Sequence, residues 1–295
     1  MALTPSTTDE LLVKQHDRVA LITLNRPDRF NAISRDMLDE LSKKVVEANK
    51  DPDIRCIVLT GAGKGFCSGL DLIGVSEGGI GSGDSKGTNR PARQLFDLRD
   101  APINVMWNID TPMICALNGP AAGYGMDLTL LCDMRIASTT AKMAAVTAKR
   151  NVVPESGGTW LLPRLIGIEK TSDLLLTGRK VSGDEAAAMG LVLRAVPRAE
   201  LMDEARNLAS EIAAGSSPTA VSVVKQMTWG RMQDDGELYR AIYEDDDAIA
   251  WAIHGPDAAE GNKAFFEKRP ADWVAVDPTT LPHFGKRNAN PFGNS

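Results

Sequence analysis

Short apolar segments with the pattern of β-strands alternate with amphipathic helical segments, and this alternation limits the folds open to the chain. The segment DRVALITLNRP (17–27) alternates apolar and polar residues, and DIRCIVLTGAG (53–63) is a short apolar run that ends in glycines. Between them, Ser34 is a suitable N-cap for a helix through MLDELSKKVVEA (37–48). A strand–helix–strand order predicts parallel pairing of the strands with a right-handed crossover.

The same order of elements recurs further along the chain. The later predicted strands are PMICALNGP (112–120), MRIAS (134–138) and GLVLRAVP (190–197), and the short segment KMAA (142–145) follows MRIAS. The later predicted helices begin at about Gly125 and cover VSGDEAAAMGL (181–191). Beyond residue 200, LMDEARNLASEIAAG and SPTAVSVVKQMTWGRM have helical character, and no convincing strand follows. We therefore predict an α/β body over residues 1–200 and a helical C-terminal region over 201–295.

The net charge and the rare residue types argue against several classes of function. A formal net charge of −6 is unsuited to a protein that tracks nucleic-acid phosphates, which needs a basic face. No apolar run approaches the roughly 18 residues of a membrane span, and the first residues lack the features of a signal peptide. The four cysteines have no CxxC spacing and there are only three histidines. We expect reduced core thiols, no metal site and a cytoplasmic location.

Two glycine-rich turns invite a nucleotide-binding interpretation that their spacing does not support. In TGAGKGFCSGLDL (60–72), Lys64 is followed by Gly65 where a Walker A motif needs Ser or Thr, and Phe66 breaks a GxGxxG pattern. In the turn at 123–125, Leu128 stands where a GxGxxG pattern needs its third glycine. Two such turns after neighbouring parallel strands could instead hold one anionic oxygen between backbone N–H groups. The alternative is that both are ordinary strand–helix turns.

Four blocks of sequence carry a resemblance to a known family. They are ITLNRPDRFNAIS, IVLTGAGKGFCSGLDL, ALNGPAAGYGMDLTLLCDMRIA and EGNKAFFEKRPADW, in order, and the match runs from about residue 17 to 273. The chain resembles the crotonase superfamily of enoyl-CoA hydratases and isomerases. This resemblance implies a spiral of ββα units with C-terminal helices that assemble trimers, often paired into hexamers. It also implies CoA-thioester substrates, an enolate-type intermediate, a place in fatty acid metabolism, and no cofactor beyond the CoA of the substrate.

The resemblance also assigns residues to a binding site. The two oxyanion donors correspond to the backbone N–H groups of Leu70 and Tyr124, and Tyr124 replaces a glycine common in the family, which would narrow the acyl pocket. The predicted CoA-binding residues are Arg29, Ala32, Ser68, Asp71, Leu72, Phe265 and Lys268, of which the last two can act from a neighbouring subunit. Removal of a proton beside a thioester puts negative charge on the carbonyl oxygen, which two fixed donors stabilise.

The acidic residues of the predicted site depart from the usual pair. Hydratases of this family hold one water between two glutamates; the first corresponds to Asp127 and the second to Thr147, which cannot act as a carboxylate base. Glu155 resembles the position of the single base in certain Δ3,Δ2-enoyl-CoA isomerases. We therefore predict Glu155 and Asp127 as catalytic residues and Thr147 as a wall of the pocket. For Glu155 and Asp127, the alternative role is that of acids in the first turns of helices.

Four functions remain open at this point. The first is double-bond isomerisation of an enoyl-CoA with Glu155 as the base. The second is hydration of an enoyl-CoA by a water held between Asp127 and Glu155. The third is an acyl-CoA-binding or scaffolding protein that has lost the chemistry, which Thr147 favours. The fourth is RNA binding, against which the net charge argues.

Overall fold

A mixed α/β fold is built on a six-stranded sheet. The computed structural model describes residues 2–71, 102–145, 154, 157–232, 251, 257, 260, 263–264, 267–275 and 281–282. The strands are β1 (Leu11–His16), β2 (Val19–Leu24), β3 (Cys56–Gly61), β4 (Met113–Leu117), β5 (Ala121–Ala122), β6 (Met134–Ser138), β7 (Lys142–Ala144), β8 (Val181–Ser182) and β9 (Arg194–Val196). The helices are α1 (Arg35–Lys50), α2 (Pro102–Asn108), α3 (Tyr124–Leu130), α4 (Gly158–Ile166), α5 (Ile168–Thr177), α6 (Gly183–Met189), α7 (Leu201–Gly215) and α8 (Pro218–Arg231).

Parallel pairing dominates the main sheet, as the strand–helix–strand order predicts. Its strand order is β1-β2-β3-β4-β6-β9, in which β1 and β2 are antiparallel and every later pair is parallel. A second, small sheet has the order β5-β7-β8. Because β2, β3 and β4 run in the same direction, the loops that follow them leave from one edge of the sheet.

Both faces of the central strands are buried, which explains why these segments are continuous apolar runs. In β3, Ile57 and Leu59 join the larger core, whereas Cys56 and Val58 point to the opposite face. That second face is covered by α7, through alanines and a leucine spaced along one side of the helix. Parallel strands covered on both sides have this composition. The predicted division at residue 200 remains a prediction, and the first helix beyond it packs on the sheet.

Helix α1 confirms the predicted N-cap. The Ser34 side chain accepts a hydrogen bond from the Met37 N–H at 3.1 Å, a contact that stabilises a helix by about 1 kcal/mol. Met37, Leu41 and Val45, at a spacing of four residues, are fully buried against the sheet. The helix is thereby fixed at both its start and its apolar face.

Among the elements that the sequence prediction missed, two have an identifiable reason. Strand β1 is an edge strand with one fully buried residue, Leu11, followed by mostly exposed and polar residues, so it lacks an apolar alternation. Helix α5 exposes Ile168 and Leu176 at 71% and 78%, so its apolar residues do not mark a single face. The helix expected from Pro154 onward begins at Gly158 among the described residues.

The C-terminal segment is tied to the amino-terminal end of β3. The Arg55 guanidinium donates to the Trp273 carbonyl at 2.9 Å and to the Ala213 carbonyl at 3.2 Å. The Trp273 indole N–H donates in turn to the Ala214 carbonyl at 3.2 Å. These contacts hold residues 267–275 beside the end of α7 and away from the edge from which the β3 loop leaves.

Glu260 should control this attachment. Its carboxylate accepts hydrogen bonds from Arg269, at 2.6 and 3.0 Å, and from the Asp272 N–H at 2.6 Å. Hydrogen bonds from Arg269 first, and then from the Asp272 N–H, lower the pKa of Glu260 to about 2 from 4.5. Because this pKa is lowered on folding, the stabilisation is complete above pH 4.5 and is lost as the pH falls towards 2.

We expect Glu260→Gln to raise the hydrogen-exchange rate of the Asp272 amide at neutral pH by about tenfold. The exposed Glu211→Gln on α7 serves as the control and should leave the rate unchanged. An unchanged Asp272 rate in Glu260→Gln would contradict this role for the carboxylate.

Candidate active site

The first glycine turn, which leaves β3, is clamped by two asparagine side chains. Asn31, fully buried, donates from Nδ2 to the Ala62 carbonyl at 3.0 Å and to the Gly65 carbonyl at 2.9 Å. Asn118, which follows β4, donates to the Gly63 carbonyl at 3.2 Å and to the same Gly65 carbonyl at 3.1 Å. Buried carbonyls of the turn are thus satisfied by side chains from two separate loops.

Leu70 lies at the end of this turn in a one-residue parallel bridge to Ile33. The Ile33 N–H donates to the Gly69 carbonyl at 2.8 Å, and the Asp71 N–H donates to the Ile33 carbonyl at 2.9 Å. Successive residues of an extended chain point their N–H groups to opposite sides, so the Leu70 N–H is directed away from Ile33. Gly69 has φ +104°, a conformation that favours glycine.

The second glycine turn begins α3. Gly123 has φ +52°, its N–H donates to the Ala144 carbonyl at 3.1 Å, and its carbonyl accepts from the N–H groups of Met126 and Asp127. Tyr124 is therefore the first residue of the helix. At this position a backbone N–H points out of the N-terminus instead of to a carbonyl of the same helix.

The two turns are in direct contact. A Cβ atom built on Gly69 would lie 3.0 Å from the Ala122 carbonyl oxygen and 3.7 Å from the Tyr124 nitrogen. A Cβ atom on Gly125 would lie only 2.3 Å from the Cys67 carbonyl oxygen, which also accepts from the Ala122 N–H at 3.0 Å. The absence of side chains at 69 and 125 permits this approach. The structure therefore brings the Leu70 and Tyr124 turns together.

Asp127 points to the start of α4. A Cβ atom on Gly158, the first residue of that helix, would lie 3.1 Å from the Asp127 Oδ1 atom. Glu155 precedes Gly158 by three residues in the sequence, but Glu155 and Thr147 lie outside the described residues. Asp127 thus lies beside a residue that is three positions after the predicted base in the sequence.

Four of the predicted CoA-binding residues lie in two loops that contact each other. Ser68 donates from its N–H to the Phe30 carbonyl at 3.0 Å and from Oγ to the Arg29 carbonyl at 3.3 Å. Arg29 and Ser68 are exposed, whereas Ala32 is buried and Asp71 is half-buried. These residues share the edge of the sheet with the two glycine turns.

Of the remaining predicted CoA-binding residues, Lys268 is the one that the structure describes. Leu72 and Phe265 lie outside the described residues. Lys268 is exposed, with φ +53°, in the segment that Trp273 ties to Arg55. Within the described part of the same chain, no contact joins Lys268 to the loop that carries Arg29.

The Cys67 thiol lies in the first turn but is not poised as a nucleophile. Burial raises its pKa to about 12, so the thiol is protonated at neutral pH. Burial likewise raises the pKa of Cys56 to about 12 and that of Cys115 well above its usual value. All four cysteines are free and buried, as expected from the sequence.

The described residues contain neither a cluster of metal-binding side chains nor a helix suited to a membrane. No group of three or more His, Cys, Asp or Glu side chains there could hold a metal ion. No helix among those residues has the length and apolar character needed to cross a membrane.

Three residues of this region were not singled out from the sequence. Asn31 and Asn118 clamp the first turn, and Arg26 binds the Asp71 carboxylate and the Ala32 carbonyl. Arg26 and Asn118 lie at the ends of predicted strand segments and Asn31 lies in the loop that follows the first of them, where loops from parallel strands meet. That position was the available signal, although it did not identify their partners.

Comparison with known proteins agrees with this architecture. The family model described as enoyl-CoA hydratase/isomerase matches residues 14–275. The chain is 34% identical to a protein named "Probable enoyl-CoA hydratase echA8" from Mycobacterium bovis, over 89% of this chain and 97% of the relative. It is 31% identical to the crotonyl-CoA hydratase of Syntrophomonas wolfei, over 90% of this chain and 98% of that protein.

A solved structure gives the same result. The enoyl-CoA hydratase of Bacillus anthracis superimposes with a TM-score of 0.81 at 32% identity, and the match covers 90% of this chain and 100% of that chain. The α/β crotonase fold predicted from the sequence is confirmed. The chain belongs to the enoyl-CoA hydratase/isomerase family and is an enzyme of the crotonase superfamily.

Proposed function

We propose that the enzyme binds an enoyl-CoA thioester and stabilises its enolate with the backbone N–H groups of Leu70 and Tyr124. The observation that carries this proposal is the contact of the two glycine turns, in which Gly69 lies against the Tyr124 nitrogen. Backbone donors fixed by a fold need no reorganisation as negative charge develops on the oxygen. An enolate held in this way requires neither a redox cofactor nor a metal ion.

We further propose that Glu155 is the base of a double-bond isomerisation. Its carboxylate would take a proton from C2 of a 3-enoyl-CoA, and the C2–H electrons would delocalise into the enolate. The double bond would then shift to C2–C3 as the carboxyl group returns the proton to C4. Thr147, which replaces the second carboxylate of a hydratase pair, favours a mechanism with one base.

Hydration is the second candidate, and the position of Asp127 supports it. Asp127 lies beside Gly158, three residues after Glu155, so two carboxylates could hold one water near the substrate double bond. One of the relatives is named a crotonyl-CoA hydratase. In this mechanism the water adds its hydroxyl group to C3 and a proton to C2.

The surroundings of the site are part of the proposal. Arg29, Ala32, Ser68, Asp71 and Leu72 would contact the CoA portion of the substrate. Phe265 and Lys268 would reach CoA from a neighbouring subunit, because in its own chain Lys268 belongs to the segment held by Arg55. This arrangement agrees with a homotrimer or a hexamer of two trimers. We also propose a cytoplasmic location and no nucleic-acid partner.

Two carboxylate variants should separate the two reactions. With a 3-enoyl-CoA, we expect conversion to the 2-enoyl-CoA, with kcat reduced about 10²- to 10⁴-fold in Glu155→Gln because the proton acceptor is lost. Asp127→Asn should have a smaller effect on this conversion. Asp184→Asn, an exposed acid in the first turn of α6, is the control and should retain activity. Products are identified by chromatography.

The same assay with a 2-enoyl-CoA of matched chain length tests the alternative. Formation of 3-hydroxyacyl-CoA that depends on both Asp127 and Glu155 would contradict isomerisation and establish hydration. Tight binding of CoA esters without turnover of either substrate would contradict both reactions and indicate either a different acyl group or a binding role.

Tyr124→Pro should remove one oxyanion donor while keeping the helix. Proline lacks the N–H but is favoured at the first position of a helix, and the preceding Gly123 has no Cβ to obstruct it. We expect kcat to fall about 10²- to 10³-fold. Tyr124→Ala, which keeps the N–H, should instead change the preference for acyl chain length. Circular dichroism checks the folding of both variants, and equal kcat values would rule out a donor role for the Tyr124 N–H.

A further inference from the structure

We propose that Arg26 is a positioning residue that orients the Leu70 N–H, an inference that rests on the proposed oxyanion role of Leu70. The Arg26 guanidinium makes three contacts in different directions. Nη1 donates to the Ala32 carbonyl at 2.6 Å and Nη2 to the Asp71 carboxylate at 2.9 Å, and Nε forms an ion pair with the Glu10 carboxylate at 3.0 Å. The side chain is only 18% exposed, so water competes little for these contacts.

These contacts join the two strands of the bridge that carries Leu70. Ala32 immediately precedes Ile33, and Asp71 immediately follows Leu70. Ile33 is bonded through its N–H to the residue before Leu70 and through its carbonyl to the residue after it. Arg26 thus holds both partners of the Ile33–Leu70 bridge, and the direction of the Leu70 N–H depends on that bridge.

The loop between Arg26 and Ile33 has a conformation that needs such support. Phe30 and Asn31 have φ values of +49° and +54°, which are uncommon for residues other than glycine. Two successive residues of this kind persist only when surrounding contacts determine them. The Arg26 N–H donates to the Asn31 Oδ1 atom at 2.8 Å, so the backbone and the side chain of Arg26 both hold this loop.

The third contact anchors the arrangement to a rigid element. Glu10, which forms the ion pair with Arg26, also accepts a hydrogen bond from the Ser34 hydroxyl. Ser34 is the N-cap of α1, whose apolar face is buried against the sheet. Contacts through Arg26 and Glu10 therefore connect the Leu70 bridge to the start of α1, a helix of 16 residues.

Only a planar guanidinium can make these three contacts together. The ammonium group of lysine is a single point charge, and it cannot reach a carbonyl and two carboxylates in divergent directions. Arg26→Lys therefore keeps the charge and removes the geometry, which makes it the informative variant. Arg18→Gln is a matched control, because Arg18 forms an exposed ion pair with Asp53 at 3.4 Å, near the opposite edge of the sheet.

The test compares two ligands that differ only in the group held by the oxyanion turn. CoA itself reports on the nucleotide and pantetheine contacts, whereas acetoacetyl-CoA adds a thioester that can bind as its ultraviolet-absorbing enolate. We expect Arg26→Lys to reduce the affinity for acetoacetyl-CoA at least about tenfold more than the affinity for CoA. The fraction of acetoacetyl-CoA that is bound as the enolate should also fall. Arg18→Gln should leave the affinity for both ligands unchanged, and melting curves should show that both variants are folded.

Three outcomes would decide against the inference or against its premise. An equal loss of affinity for both ligands in Arg26→Lys would overturn it, since Arg26 would then shape only the CoA loop. Unchanged affinities and an unchanged enolate signal would also overturn it. Failure of the unmodified enzyme to bind either ligand would contradict the proposed function. In that case the hydrogen-exchange rate of the Asp71 amide tests the positioning role of Arg26. Faster hydrogen exchange there in Arg26→Lys supports the role, and an unchanged rate overturns it.

Discussion

The contact between the two glycine turns at the carboxyl ends of β3 and β4 is the constraint on which the rest of the structure depends. A Cβ atom on Gly125 would lie 2.3 Å from the Cys67 carbonyl oxygen, which leaves no room for a side chain, and one on Gly69 would lie tightly against the Ala122 carbonyl oxygen at 3.0 Å. Parallel pairing of the two strands brings their following turns to one edge. Asparagine side chains hold the first turn, so the donors that we propose are backbone groups in a fixed turn.

Much of this architecture could be predicted from local sequence. The apolar runs of β3 and β4 and the Ser34 cap of α1 are local signals, and the structure confirms them. The edge strand β1 has no such signal because one side of it is exposed. The hydrogen bond from Arg26 to Asp71 joins residues that are 45 positions apart, and no local pattern around either residue predicts it. Contacts of this kind depend on the register of the sheet, which local patterns do not determine.

The resemblance to a family supplied what spacing alone left open. Glycine patterns excluded nucleotide-binding motifs but did not distinguish an oxyanion hole from ordinary turns. Leu70 and Tyr124 lie in two turns that touch, and this contact is the physical basis on which we propose that both N–H groups serve one site. The choice between isomerisation and hydration depends instead on the acids around that site. Asp127 faces the start of α4, and we propose that Thr147 stands where the resemblance places the second carboxylate of a hydratase pair.

A crystal structure of the enzyme with bound acetoacetyl-CoA would test the central claim most directly. We expect the thioester oxygen to lie about 2.7–3.1 Å from both the Leu70 and the Tyr124 nitrogens. We also expect this oxygen to make no hydrogen bond to a charged side chain. A thioester oxygen bound by a side chain, or lying beyond hydrogen-bond distance of either nitrogen, would contradict the claim that these two turns form the catalytic oxyanion hole.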